Sequence, residues 1–185
     1  KVLSDLVKSG KIRYVGLSNE TPWGLSEFLK YSELLDLPRV VSVQNAYNFL
    51  NRTYELGMSE FHHRSQVGLL AYSPLAQGYL TGKYIDGARP KGARTTLFER
   101  GDRYEVPGAN EAVKSYVNYA KSIGMDPSVM ANAFVNSRDF VTSNIIGATT
   151  MEQLKLAVGS IDVNLSEEDL EQISLIHRNN PNICP

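Results

Sequence analysis

The chain has one cysteine, Cys184, so no disulfide can form within it. Thiol-poor chains of this kind suit a reducing compartment, here expected to be the cytoplasm. Cys184 itself, close to the C-terminus, reads as exposed. No apolar run approaches the ~20 residues that cross a bilayer, so no membrane partner is expected. There is no surplus of positive charge, the net charge being −1, and nucleic acid is not an expected partner either. No G-x-G-x-x-G follows any strand-like segment, which argues against an open dinucleotide-binding sheet. No G-x-S-x-G surrounds Ser73, which argues against a serine nucleophile. His62 and His63 are adjacent and cannot both face one metal from a regular helix, so no metal site is expected.

What remains is ordinary globular composition: 185 residues, 42% hydrophobic and 21% charged, enough for one core and read as a single domain over 1–185. One stretch organises it, Val67–Tyr84, VGLLAYSPLAQGYLTGKY. Val67 to Tyr72 is apolar with almost no polar alternation, as in a strand buried on both faces of a parallel sheet. Ser73-Pro74 ends it, because proline cannot continue a central strand. Ala76, Gly78 and Gly82 follow, with Lys83 behind them. A buried strand therefore hands over to a loop that can bring backbone N–H groups and a cation close to a ligand. In parallel α/β folds, ligands bind at that end of the strands.

The rest of the chain repeats the device. Lys1–Ser9 reads as helix, with Leu3, Leu6 and Val7 on one face and Gly10 as its stop. It carries no cap, so the chain is expected to be a piece of something longer. Strands are predicted at 12–17, 40–43, 68–72 and 141–146. Thr21-Pro22 opens a helix with Leu25, Phe28, Leu29 and Leu35 on one face. Further helices are predicted over Tyr54–His63, Asn110–Ser122 and after Asp126-Pro127. Another is predicted with Leu154, Val158 and Ile161 inward. A last helix is capped by Ser166 and Asp169, with Leu165 and Leu170 as staple. Each strand ends in a small or amide-bearing cluster: Ser18-Asn19, Gln44-Asn45, Ser73 and Gly147-Thr149-Thr150. Right-handed crossovers would set all four at one edge of a parallel sheet. Four βα units are half of the eight that close a barrel.

That edge is poor in acids and bases. Amides and hydroxyls bind a neutral carboxamide, Tyr72 offers a ring for a flat heterocycle, and Lys83 and Arg94 suit phosphates. Gly147 opens a strand-to-helix turn, where N–H groups bind anions. The set suits a nucleotide cofactor rather than acid–base catalysis. Trp23 and Tyr47 are placed to line a pocket above the sheet. Tyr84–Gly108 reads as a long loop with Lys91, Arg94, Arg100 and Arg103, and with only Leu97 and Phe98 as large anchors. It is expected to be mobile until phosphates order it.

Four runs in order, GKIRYVGLSN (10–19), VVSVQNAYN (40–48), LLAYSPLAQGYLTGKY (69–84) and NIIGATTMEQL (144–154), resemble the C-terminal half of an aldo-keto reductase. The resemblance covers nearly the whole chain. It is closest to the branch of the potassium-channel β subunits and related bacterial oxidoreductases. It implies an α/β fold, a (β/α)8 TIM barrel of which this chain holds the C-terminal four βα units. It also implies NADP(H) as cofactor and an aldehyde or ketone as small-molecule substrate. Residue by residue, it puts Ser18, Asn19 and Gln44 on the nicotinamide carboxamide and Tyr72 against its ring. Ser73, Leu75 and Gln77 meet the pyrophosphate. Lys83 and Arg94 belong to a loop that closes over the phosphates, and Gly147, Thr149 and Gln153 serve the 2′-phosphate end.

Many members carry Lys where this chain has Gly147 and Arg where it has Gln153, so discrimination for NADPH falls to Arg94 and Lys83. Leu156-Ala157 replace a Glu-Asn pair that contacts adenine. The family's catalytic Asp, Tyr, Lys and His lie on strands that this sequence does not contain, so no catalytic residue is assigned. The alternative implied function is a redox-sensing regulatory subunit, and the oligomeric state stays open.

Overall fold

Four apolar segments form one parallel sheet, β1 (Val15–Ser18), β2 (Val40–Ala46), β3 (Gly68–Tyr72) and β4 (Val141–Ile145), in spatial order β1-β2-β3-β4. In the computed structural model, which describes residues 1–98 and 101–185, all four predicted strands form, but β1 begins at Val15 rather than 12 and β2 runs on to Ala46 rather than stopping at 43. Parallel neighbours require a crossover, and helices supply it. The helices are α1 (Val2–Lys8) before β1, the crossovers α2 (Pro22–Leu34), α3 (Met58–Ser65), α4 (Arg94–Phe98), α5 (Ala109–Ser122) and α6 (Pro127–Asn136), and α7 (Met151–Gly159) and α8 (Glu167–Asn179) after β4. Their starts follow the capping chemistry. Thr21 Oγ1 accepts from the Gly24 N–H at 3.1 Å, Asp126 accepts from Ser128 and Val129, and Ser166 exchanges both arms of a capping box with Asp169. The helix expected at Tyr54–His63 is instead a 3-10 turn at Thr53–Leu56 followed by α3, the break falling at Gly57.

Alternation along the strands divides the sheet into two unlike faces. Val43, Leu69 and Ala71 are fully buried on one face. Beyond them lies an aromatic cluster: Phe49 stacks on Tyr116 of α5 with centroids 4.4 Å apart and meets Phe134 of α6 at 4.8 Å. The register aligns Ser18 with Gln44, Gln44 with Leu70, and Tyr72 with Ile145 on the other face. There Ser18, Gln44, Ser143 and Ile145 are exposed, and Leu70 and Tyr72 only half-buried.

Several expectations need correcting. Leu154, Val158 and Ile161 are exposed rather than inward, and so are Phe28 and Leu35. The reason is position: α7 follows the edge strand β4 and packs on α6, and α2 follows the edge strand β1 and packs on β2. Each helix is left with an apolar flank in solvent. Cys184 is 1% exposed, its backbone N–H donating to the Leu50 carbonyl at 3.1 Å, and burial pushes its thiol up to about 11. Tyr47 is buried in the aromatic core, its hydroxyl bonded to Glu55, while Trp23 is exposed; neither fits a shared pocket wall.

The segment from Tyr84 to Gly108 is not a structureless loop. It holds 3-10 turns at Ile85–Gly87 and Asp102–Tyr104 as well as α4. Its anchors are Tyr84, Thr95 and Tyr104, all buried, whereas Leu97 and Phe98 are 62% and 64% exposed. The Tyr84 hydroxyl accepts the Thr95 N–H at 3.1 Å. Arg100 lies outside the described residues. Among the described residues, no helix is long and apolar enough to cross a membrane.

Candidate functional site

The carboxyl ends of β1, β2 and β3 bring Ser18, Asn19, Gln44 and Tyr72 into one hydrogen-bonded group. Ser18 Oγ and the Asn19 N–H both donate to the Gln44 carbonyl, at 3.2 and 3.0 Å. Asn19 sits at φ +52°, a left-handed position that Asn tolerates better than most residues. The Tyr72 hydroxyl donates to Asn19 Oδ1 at 2.8 Å. That bond occupies the amide oxygen. The Asn19 Nδ2 donors and the exposed Gln44 amide make no side-chain hydrogen bond among the described residues. Free amide donors and acceptors beside an aromatic ring match the needs of a carboxamide-bearing heterocycle.

Two further amides hold this rim in place. Asn45 Nδ2 donates to the Glu20 carbonyl at 3.0 Å and its Oδ1 accepts the Glu20 N–H at 3.1 Å, pinning the loop after β1. Asn48 is fully buried. Its Oδ1 accepts the N–H groups of Leu50 and Asn51 at 2.9 and 3.1 Å, and its Nδ2 donates to the Ser73 carbonyl at 3.0 Å. A longer contact of 3.4 Å reaches the Tyr104 hydroxyl, so Asn48 joins the loops after β2 and β3 to the Tyr84–Gly108 segment.

After β3 the backbone winds tightly, with Ser73, Ala76, Gln77 and Gly78 all at positive φ. Three non-glycine residues in that region concentrate strain, which packed structures sustain at functional sites. Gly78, at φ +99°, is where glycine is needed, and the end of the Lys83 side chain lies beside it: a Cβ there would sit 2.9 Å from Lys83 Cε, which the flexible side chain could avoid by shifting. Leu75 accepts the Gly78 N–H at 2.8 Å, closing the turn over which Lys83 folds. Lys83 lies over the Tyr84 ring, 5.2 Å from its centroid, and Arg94 is exposed at the start of α4. Neither cation has a carboxylate within ion-pair distance among the described residues.

Tyr72 pairs with Ile145 in the sheet, which carries Gly147 just past the same edge. Thr149 and Gln153 are in contact: Gln153 Oε1 accepts from the Thr149 N–H at 2.9 Å and from its hydroxyl at 3.1 Å. Thr150 Oγ1 caps α7 through the Gln153 N–H. The structure thus joins Ser18, Asn19, Gln44 and Tyr72, and separately Thr149 with Gln153. It shows no direct side-chain link between these groups and Leu75, Gln77 or Arg94.

Arg103 was visible in the sequence only as a loop cation. Its Nη1 donates to the Tyr72 hydroxyl at 3.2 Å from a position 31 residues further on. No spacing rule reaches that far; only the fold of the segment brings it there. The hydrogen bond to Tyr72 raises the guanidinium pKa above its usual value, partial burial opposing it. Nearby, Tyr79 donates to Glu105 Oε1, which also pairs with Arg89; burial, with help from Glu105, pushes the Tyr79 hydroxyl up to about 12. A cavity of about 310 Å³ lies in this segment between Arg89, Thr95, Thr96, Gly101 and Glu105. A second, about 520 Å³, lies beside His62, His63, Gly68 and Thr142. Neither is lined by an expected cofactor residue, because the rim carrying those residues stands on the open face of the sheet. Among the described residues, no group of three or more His, Cys, Asp or Glu could hold a metal.

A family model described as the aldo/keto reductase family matches residues 1–178. The chain is 47% identical over 176 residues to Protein tas of Escherichia coli (strain K12), covering 95% of this chain and 51% of that protein. It is 37% identical over 194 residues to an aldo-keto reductase of Babesia bovis, covering 98% of this chain and 68% of that one. It is 31% identical over 182 residues to L-glyceraldehyde 3-phosphate reductase of Escherichia coli (strain K12), covering 92% of this chain and 51% of the reductase. The chain therefore spans about half the length of Protein tas and of the glyceraldehyde-phosphate reductase.

Proposed function

We propose, on the premise that the chain belongs to the aldo/keto reductase family, that residues 1–185 supply the cofactor-binding half of an NADP(H)-dependent reductase of aldehydes or ketones. The observation that carries the reading is the Tyr72–Asn19–Gln44 group at the carboxyl edge of a parallel sheet, with amide groups that are unpaired among the described residues beside an aromatic ring. Reductase-named relatives support the reaction class. Ser18, Asn19 and Gln44 then orient the carboxamide, and the Tyr72 ring packs on the nicotinamide and fixes the face it presents. Ser73, Leu75 and Gln77 border the pyrophosphate at the strained turn. Lys83 and Arg94, free of carboxylate partners among the described residues, take the phosphates. Gly147, Thr149 and Gln153 border the adenosine end. The bound cofactor supplies a hydride from its nicotinamide ring. On this reading the groups that polarise the carbonyl lie outside this chain, on strands that pair with the open edges of β1 and β4 and close an eight-stranded barrel.

Cofactor titration of the intact protein tests this. Tyr72→Ala should weaken binding by about 1 kcal/mol, roughly five-fold, from lost stacking. Unchanged affinity would remove Tyr72 from the site. Arg94→Ala should weaken NADPH more than NADH, since only NADPH carries the 2′-phosphate; an equal loss for both would show that Arg94 does not read that group.

A further inference from the structure

We propose that Arg103 makes the site discriminate between the two redox states of its cofactor, holding the reduced form more tightly than the oxidised form. The inference rests on the reading that the nicotinamide packs on Tyr72. Arg103 Nη1 donates to the Tyr72 hydroxyl at 3.2 Å, and the same hydroxyl donates onward to Asn19 Oδ1 at 2.8 Å. The tyrosine is thus held at its tip from two sides, and one holder carries a full positive charge. Among the described residues, no carboxylate lies within ion-pair distance of Arg103. Among the described acids of its own segment, Glu105 pairs with Arg89 and Tyr79 and Asp102 is exposed, while Glu99 lies outside the described residues.

A heterocycle stacked on the Tyr72 ring lies beside this guanidinium. The oxidised nicotinamide ring is cationic and the reduced ring is neutral. Like charges close together repel, and the repulsion acts on one redox form alone. A phosphate contact behaves differently, because both forms carry the same phosphates. The consequence for a reductase is directional: the reduced cofactor is favoured on entry and the oxidised product is expelled faster.

The test is direct titration of NADP⁺ and NADPH on the intact protein, at low and high salt. Arg103→Gln should tighten NADP⁺ relative to NADPH by roughly three- to ten-fold at low ionic strength, on the order expected for one charge near a partly solvated site. Near 1 M salt, where screening falls to about 3 Å, the wild-type preference should fade. Arg103→Lys keeps the charge and should keep the preference. Tyr72→Phe keeps the ring but frees the guanidinium, and should shift the ratio in the same direction as Arg103→Gln. If Arg103→Gln weakens both forms by the same factor, Arg103 reads a phosphate and the proposal fails. Should that variant misfold, a wild-type preference insensitive to salt overturns the proposal on its own. Tyr72→Ala separates the two readings. No change in either affinity there removes the stacking premise, whereas a loss there with an unchanged ratio in Arg103→Gln removes the Arg103 inference alone.

Discussion

Asn48 ties together the loops that carry the site, although it meets no expected ligand. It is fully buried and spends its amide on Leu50, Asn51, Ser73 and Tyr104. Asn48→Ala would strand several buried partners at once, at a cost of about 3 kcal/mol, a large share of the stability of an ordinary domain. Urea unfolding should show the loss, and Asn48→Asp should not restore it, because a carboxylate cannot donate to the Ser73 carbonyl. A midpoint within error of the wild type would mean that the turn after β3 holds itself. The residue types of the rim were legible: hydroxyl, amide and aromatic groups at strand ends point to the sheet edge where they stand. Which amide meets a ligand and which pins backbone was not. Asn45 and Asn48 look the same as Gln44 in a sequence, and only pairing partners across 25 residues separate them. Arg103 was missed as a partner of Tyr72 for the same reason.

At the scale of elements, local chemistry predicted starts and stops well, because a cap satisfies its own helix within three residues. Burial was less legible. An apolar stripe says that a helix has a face for packing, not that a neighbour is present, and α7 shows the difference. The last helix offers a test. Asp169 serves two elements: it completes the capping box with Ser166 and accepts the Tyr119 hydroxyl of α5 at 2.7 Å. That hydroxyl, with Ser166, holds the Asp169 carboxyl below its ordinary value near 3.8, and the Tyr119 hydroxyl is pushed up to about 12 by burial and by Asp169. A depressed carboxylate contributes stability that is full above its unfolded value and lost as pH falls through the folded one. A raised phenol contributes stability that is full below its ordinary value near 10 and lost as pH rises towards 12. Asp169→Asn should therefore cost roughly 1 kcal/mol at neutral pH, and its stability should change less than the wild type's below about pH 4. Thermal melts of both proteins between pH 2.5 and 7 measure it; parallel curves would show that the pair contributes nothing.

The whole molecule is a sheet dressed on one side. One face carries the aromatic core, while the other presents Ser18, Gln44, Ser143 and Ile145 to solvent. Two edge strands, β1 and β4, leave backbone groups unpaired, and such edges recruit further strands. α2 exposes Trp23, Phe28, Tyr31 and Leu34, and α7 exposes Met151, Leu154 and Val158, one helix near each edge. Open face, open edges and apolar flanks all ask for the same thing, further βα units on both sides. On the proposed reading these arrive with the rest of an eight-stranded barrel, and the carbonyl-polarising acid arrives with them. The rim on this chain offers amides, hydroxyls and cations, which suit the proposed cofactor but do not deliver a proton to a substrate oxygen at neutral pH. The 185-residue chain by itself should therefore self-associate through its edges and show no NADPH-dependent reduction of 4-nitrobenzaldehyde. Adding, as a separate polypeptide, the strands that the proposed reading assigns to the rest of the barrel should disperse the aggregates and restore turnover. Light scattering and absorbance at the reduced-nicotinamide band follow both. A monodisperse monomer with turnover above background, in a sample shown by mass to be this chain alone, would place the catalytic groups within these residues and overturn the division of labour proposed for the two halves.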